Sequence, residues 1–129
     1  MKVFFDTSAF YALASATDEF HDRAREIYKD ILTKGFELLT SSYVLVEIFA
    51  LIQNRLGFTV LEKFVESIEG IFSIYWVDEK LHRKAWQLLK EKQKISFVDC
   101  SSFLIAEKTG ATIFAFDPDF KAQGFKVLE

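Results

Sequence analysis

Val3-Phe4-Phe5-Asp6-Thr7-Ser8 is the stretch on which the fold turns. Three apolar residues of high β propensity end on an aspartate, and the run reads as a buried strand. Helix spacing takes over at once, with Phe10, Leu13 and Ala14 placed on one face of a helix over Thr7 to Ala16. An acid therefore stands where a buried strand gives way to a helix.

The same alternation continues outward from this start. Glu19 to Lys34 carries Phe20, Ala24, Ile27, Tyr28 and Ile31 on one helical stripe, with Gly35 as the stop. Phe36 to Thr40 is a second strand, and Ser41-Ser42 caps a helix that runs to about Leu56 and closes at Gly57. Phe58 to Glu69 is a helix ended by Gly70, Phe72 to Val77 a third strand, and Glu79 to Lys92 a further helix. Ser96 opens a helix from Phe97 to about Lys108, backed by Gly110. Thr112 to Phe116 is a fourth strand, Asp117-Pro118 starts a short helical turn, and Phe125 to Leu128 is a last strand. Strands alternating with helices predict an α/β fold. The central sheet is mostly parallel, of four to five strands, with helices on both faces. One domain spans residues 1–129.

Half of the 129 residues are apolar and 16% are aromatic, enough for a dense core at this length. The net charge of −3 and the pI of about 5.4 argue against a protein that grips nucleic acid through a bulk basic surface. They leave room for one that meets phosphates through bound cations, whose charge is absent from a residue count. A lone cysteine, Cys100, excludes an internal disulfide and points to a reducing compartment. The start reaches a charge too early for a signal peptide. The longest apolar stretch, Val44 to Ile52, is broken by Glu47 and falls short of the roughly 20 residues that span a bilayer. The expectation is a soluble, cytoplasmic protein.

In an open parallel sheet, ligands bind beyond the carboxyl ends of the strands. Asp6 follows the first strand, Asp117 follows the fourth, and Asp99 lies in the first turn of the helix opened by Ser96. If those strands are neighbours, three carboxylates reach one rim. Each also has a simpler reading. Asp6 and Asp117 make good N-caps, Pro118 suits a first helical position, and Ser96-Phe97-Val98-Asp99 fits a capping box. Capping and metal binding are compatible, because a helix start points its dipole at the same place.

Glu47 discriminates. In Tyr43-Val44-Leu45-Val46-Glu47-Ile48-Phe49-Ala50-Leu51-Ile52 it has apolar neighbours on every side. Presenting it to water would expose several large hydrophobes, and burying it unpaired is costly. A salt bridge to Arg55 or Lys63 would satisfy it; a cation shared with the other acids is the more economical partner. Two carboxylates 4 Å apart repel by ~4 kcal/mol at an effective dielectric near 20. Hard divalent cations relieve this, and an all-oxygen ligand set favours Mg²⁺ or Mn²⁺ over Zn²⁺. His21 and His82 sit in charged helical stretches and read as surface residues. Such a site suits phosphoryl chemistry, where metals activate a water and stabilise the leaving oxygen.

Asp6-Thr7-Ser8 after an opening strand, Glu47 inside the third helix, Phe97-Val98-Asp99 at a later helix start and Phe116-Asp117-Pro118-Asp119-Phe120 near the end together resemble the PIN domain. Length, acid order and the short tail are most similar to the VapC toxins of type II toxin–antitoxin systems. The resemblance covers the whole chain. It implies a Rossmann-like sheet, Mg²⁺ or Mn²⁺, endonucleolytic cleavage of RNA, a homodimer, and inhibition by a cognate antitoxin. It also implies that Asp6 and Asp99 are the principal metal ligands and that Glu47 and Asp117 complete the site, with Asp119 as a fifth acid. Thr7 or Ser8 matches the hydroxyl that touches it. A thiol nucleophile at Cys100 would want a histidine base, and none is evident.

Lys80 to Lys94 carries six basic residues against one acid, Glu91. It reads as a solvated helix face or as a phosphate-tracking edge beside the acids. Among the aromatics, Phe4, Phe5, Phe36, Phe64, Phe97 and Phe103 read as packing. Phe10, Tyr11, Tyr43, Phe49 and Phe58 are harder to bury together, and some are expected at a dimer or antitoxin surface.

Two rival functions remain. A PIN nuclease of RNA processing, or one acting on structured DNA, would keep the fold without the toxin role. A receiver- or phosphatase-like signalling domain could use Asp6 as a phosphoryl acceptor, but Ser8 stands where a phosphatase wants a second aspartate, and neither scheme uses an acid inside an apolar helix. An inactive binding module is disfavoured by the full set of acids.

Overall fold

The computed structural model describes residues 1–129. Its strands are β1 (Lys2–Phe5), β2 (Glu37–Ser41), β3 (Ser73–Tyr75), β4 (Thr112–Phe114) and β5 (Val127–Leu128). They form one sheet in the order β3-β2-β1-β4-β5, and every pairing is parallel. Strand β1 is central: Val3 registers with Leu38 on one side and Thr112 on the other, and Phe5 registers with Phe114. The chain winds from β1 out to β3 and then crosses back to place β4 against the free side of β1. That reversal makes the gap between β1 and β4 the topological switch point, where open α/β sheets place their ligands. The order also separates this fold from the receiver alternative, whose sheet runs 2-1-3-4-5.

The helices are α1 (Thr7–Ala14), α2 (His21–Thr33), α3 (Ser42–Leu56), α4 (Phe58–Ile68), α5 (Glu79–Lys92), α6 (Phe97–Thr109) and α7 (Pro118–Ala122). Their starts are set by local hydrogen bonds. Ser41 accepts from Val44 N, Asp78 from Leu81 N and Ser96 from Asp99 N, at 2.8–3.1 Å. Expected helix α2 begins two residues late because Asp18 folds back to accept from Phe20 N, holding the chain in a turn. The third, fourth and fifth strands are shorter than expected: β3 and β4 end early as the chain turns toward the next helix, and β5 begins late, at Val127.

Val3, Phe4 and Phe5 are all fully buried, so side chains on both faces of β1 are covered. The aromatic excess is mostly core. The Phe5 ring lies 4.8–5.7 Å from the rings of Phe10, Tyr28, Phe72 and Phe114. Phe10, expected among the residues hard to bury, is enclosed by Phe5, Phe64 and Phe72, whereas Phe58 is exposed and Tyr11, Tyr43 and Phe49 are half-buried. No helix is long and apolar enough to cross a membrane.

Candidate active site

Asp6 is the first residue beyond β1 and caps α1. Its Oδ2 accepts from the Ser8 backbone N–H at 3.1 Å and from the Ser8 hydroxyl at 2.6 Å. Its Oδ1 is buried and meets no donor. The residue is 2% exposed. Burial pushes its pKa up to about 6, the Ser8 bonds offset part of the rise, and Asp117 adds to it.

The second wall comes from the segment after β4. Phe116 N donates to the Ser8 hydroxyl at 3.0 Å, so one hydroxyl ties the Asp6 carboxylate to the strand end that carries Asp117. Asp117 in turn caps α7, with Oδ1 accepting from Asp119 N at 2.9 Å. The capping readings of Asp6 and Asp117 are therefore correct, and capping is what brings both carboxylates to the switch point.

Asp99 closes the group from the first turn of α6. It is 7% exposed, and burial pushes its pKa up to about 8. The charges of Asp6, Asp117 and Glu47 reinforce that rise, and the Ser96 hydroxyl opposes it. One carboxylate oxygen each from Asp99, Asp117 and Asp119 lies within 4.8 Å of the others. Oxygens bound to a single Mg²⁺ at ~2.1 Å are at most ~4.2 Å apart, so a small side-chain adjustment would let one ion join them. An orphaned buried oxygen on Asp6, a carboxyl on Asp99 driven toward its neutral form and an all-oxygen donor set fit a hard divalent cation.

This arrangement differs in two respects from the expected pit of Asp6, Glu47, Asp99 and Asp117. The tightest oxygen set contains Asp119, expected as a fifth acid, because the α7 cap turns it beside Asp117; Asp6 is instead held back by Ser8. Glu47 is half-buried, not buried. It lines an open groove with Tyr43, His82, Phe97 and Val98, close enough for its charge to act on Asp99. The expectation assumed that every apolar position of α3 would be covered. Val44, Ile48 and Ile52 form the buried face, while Val46, 70% exposed, and Ala50 leave an apolar strip open beside Glu47. Neither expected ion pair forms. Arg55 stacks over the Tyr11 ring, Lys63 lines a separate cavity, and Glu47 keeps no cationic partner.

Thr7 is buried with its hydroxyl unpartnered, beside Asp6. Ser102 was missed by sequence reasoning. It is fully buried with an orphaned hydroxyl, three residues beyond Asp99 and so on the same face of α6. The i, i+3 spacing was the available signal. His21, read as a surface residue, is half-buried with Nδ1 2.7 Å from the Ala12 carbonyl. His82 is exposed as expected, yet bonded to the Tyr43 hydroxyl. Burial and Asp99 both push the Cys100 thiol up, which keeps it protonated and unsuited to nucleophilic attack.

Comparison with known proteins places this geometry in context. The family description of the PIN domain matches residues 3–126. A 23S rRNA-specific endonuclease, VapC20 of Mycobacterium tuberculosis, is 32% identical over 127 residues, covering 95% of both chains. The crystal structure of M. tuberculosis VapC20, described as a sarcin–ricin loop cleaving toxin, superposes with a TM-score of 0.86 at 31% identity, again over 95% of each chain. A VapBC2 complex from Rickettsia felis, bound to a DNA fragment from its promoter, shares the fold with a TM-score of 0.71 at 16% identity, covering 99% of this chain and 98% of the matched one.

Proposed function

We propose, from the premise that this chain belongs to the PIN-domain family, that it is a metal-dependent endoribonuclease acting as the toxin of a toxin–antitoxin pair. The observation that carries this reading is the convergence at the β1–β4 switch point. A buried Asp6 with an orphaned oxygen stands beside Asp99, whose carboxyl is pushed to about 8, and carboxylate oxygens of Asp99, Asp117 and Asp119 meet within 4.8 Å.

Asp6 and Asp99 are assigned as the principal ligands of Mg²⁺ or Mn²⁺, with Asp117 and Asp119 completing the set. When bound, the cation supplies positive charge for the scissile phosphate and lowers the pKa of a coordinated water. The protein's own part is positioning. Ser8 fixes the Asp6 carboxylate, Asp117 turns Asp119 inward through the α7 cap, and Thr7 offers a buried hydroxyl beside Asp6. Glu47, at the mouth of the groove, is assigned to orient the attacking water with Asp117. The relative's activity makes 23S rRNA the first substrate to test. Incubating RNA with the parent and with Asp99→Asn in Mg²⁺ or Mn²⁺ decides the matter: cleavage by the parent alone is expected, and equal cleavage by both would refute the assignment.

An antitoxin and a second copy of the chain are the proposed protein partners. The relative's description as a toxin supports the former, and exposed Phe58 supplies apolar area for either contact. Co-expression with the protein encoded beside it, followed by light scattering, is expected to give a complex larger than the monomer.

A further inference from the structure

Helix α5 carries a stripe that the acidic site does not explain. His82, Trp86 and Lys90 recur every four residues, with Arg83 beside them, so all lie along one face over about 12 Å. Trp86 is 50% exposed, and the Lys90 ammonium stands 6.0 Å from its ring centroid. Lys80, Lys84 and Lys92 add charge to the same helix, and among its basic residues Arg83 is ion-paired, to Glu79 one turn away. In a chain of net charge −3 this is a marked local excess of positive charge.

The stripe is continuous with the acidic site. A shallow depression lined by Glu79, Arg83 and Trp86 has His82 as its remaining wall. His82 also lines the neighbouring groove that contains Glu47. There its ring bonds to the Tyr43 hydroxyl, and the rings of Tyr43, His82 and Phe97 lie 5.1–5.8 Å from one another. Phe97 precedes Asp99 by two residues. The groove, about 720 Å³, is large enough for a nucleoside-sized group. Exposed aromatic faces interleaved with cations, leading to a phosphodiester-cleaving centre, are the elements of a single-strand track. Bases stack on rings while the backbone follows the charges.

We propose that this face of α5 and the adjoining groove bind unpaired nucleotides on one side of the scissile bond, with Trp86 stacking on a base and Lys90 and Arg83 holding phosphates. This inference rests on the nuclease reading and deepens it. Duplex RNA does not offer base faces to such a platform, so the segment bound there is single-stranded.

The chain has two tryptophans, so Trp76→Phe leaves Trp86 as the sole indole reporter, and Asp99→Asn keeps the RNA intact during titration. In that background an oligoadenylate octamer is expected to quench Trp86 emission, and an abasic octamer of equal charge is not. Trp86→Ala should weaken oligoadenylate binding about 5- to 100-fold by fluorescence anisotropy and leave abasic binding unchanged, with Trp86→Phe intermediate. Lys90→Ala should lower the slope of log affinity against log salt by about 0.7. If Trp86→Ala leaves oligoadenylate affinity within about twofold, the proposal is overturned. An equal loss toward both octamers overturns it as well, reassigning the stripe to polyanions in general, an acidic protein segment included. Cleavage assays with otherwise unaltered protein keep the two readings apart. A chain that cuts RNA while Trp86 stays silent loses this inference alone, and one that stacks adenine but never cuts loses the nuclease reading alone.

Discussion

Phe5 and Asp6 are adjacent in the chain and almost equally hidden from water, yet their surroundings are opposites. Phe5 is ringed by four aromatic side chains, and its burial stabilises the sheet on the scale of ~25 cal/mol per Å² of apolar surface. Asp6 has one oxygen held by Ser8 and one left without a donor, and its carboxyl is pushed toward the neutral form. One residue of chain separates a region organised for stability from a region held against its own electrostatics. The contrast teaches that the rim is tolerated because the interior behind it is rigid: β1 cannot relax outward to hydrate Asp6 without withdrawing Phe5 from its cluster.

The largest expected effect breaks the rim. Asp99→Asn should lower cleavage of RNA by about 10³-fold or more, because it removes a charge from the proposed cation site, and a bound divalent ion would contribute several kcal/mol to the transition state; single-turnover assays in Mn²⁺ measure this. Phe5→Ala should break the interior instead. It should cost about 3–5 kcal/mol in urea unfolding while the activity per folded molecule stays within a few-fold. Equal damage to activity by the two substitutions would abolish the distinction between the regions.

A pH series sharpens it. The pKa values of Asp6, about 6, and Asp99, about 8, exceed the ordinary 3.8, so between pH 4 and 8 the folded protein binds more protons than the unfolded chain. Stability of the metal-free protein from these groups is therefore full below about pH 4 and is lost as pH rises, for Asp6 up to about 6 and for Asp99 up to about 8. Melting in chelator at pH 5 and pH 8 should show a larger fall for the parent than for Asp99→Asn, by on the order of 1–3 kcal/mol, and Mg²⁺ or Mn²⁺ should reverse much of the parent's loss. The smallest effect is Ser8→Ala. Loss of the hydroxyl leaves Phe116 N unpaired and should cost about 1–2 kcal/mol of stability, read from the melting midpoint.

The order of elements was legible because every strand carries a short apolar run and nearly every helix is punctuated by a cap or a glycine. Asp6, Asp99 and Asp117 were legible through the same caps, since a capping residue must stand at a helix start, and in this fold two of those starts face the switch point. Glu47 was located correctly but its environment was not. Reading its neighbours as buried presumed a partner for each face of α3, and a single chain leaves Val46 and Ala50 uncovered. The inward turn of Asp119 depends on the Asp117 cap geometry, and the Tyr43–His82 contact joins residues 39 apart in the chain. Neither follows from periodicity: the first is set by a local cap two residues long, the second by tertiary packing.

The Ser8 hydroxyl donates to Asp6 and accepts from Phe116 N, joining the first and last thirds of the polypeptide through a single oxygen atom. Exchange of segments between relatives is constrained accordingly. A chimera that imports a foreign loop at 116–119 inherits a partner for residue 8 that it did not choose, and the placement of Asp117 against Asp6 will depend on whether that contact is retained. Recombination across this family should therefore succeed when crossover points keep the N-terminal turn and the C-terminal loop from the same parent.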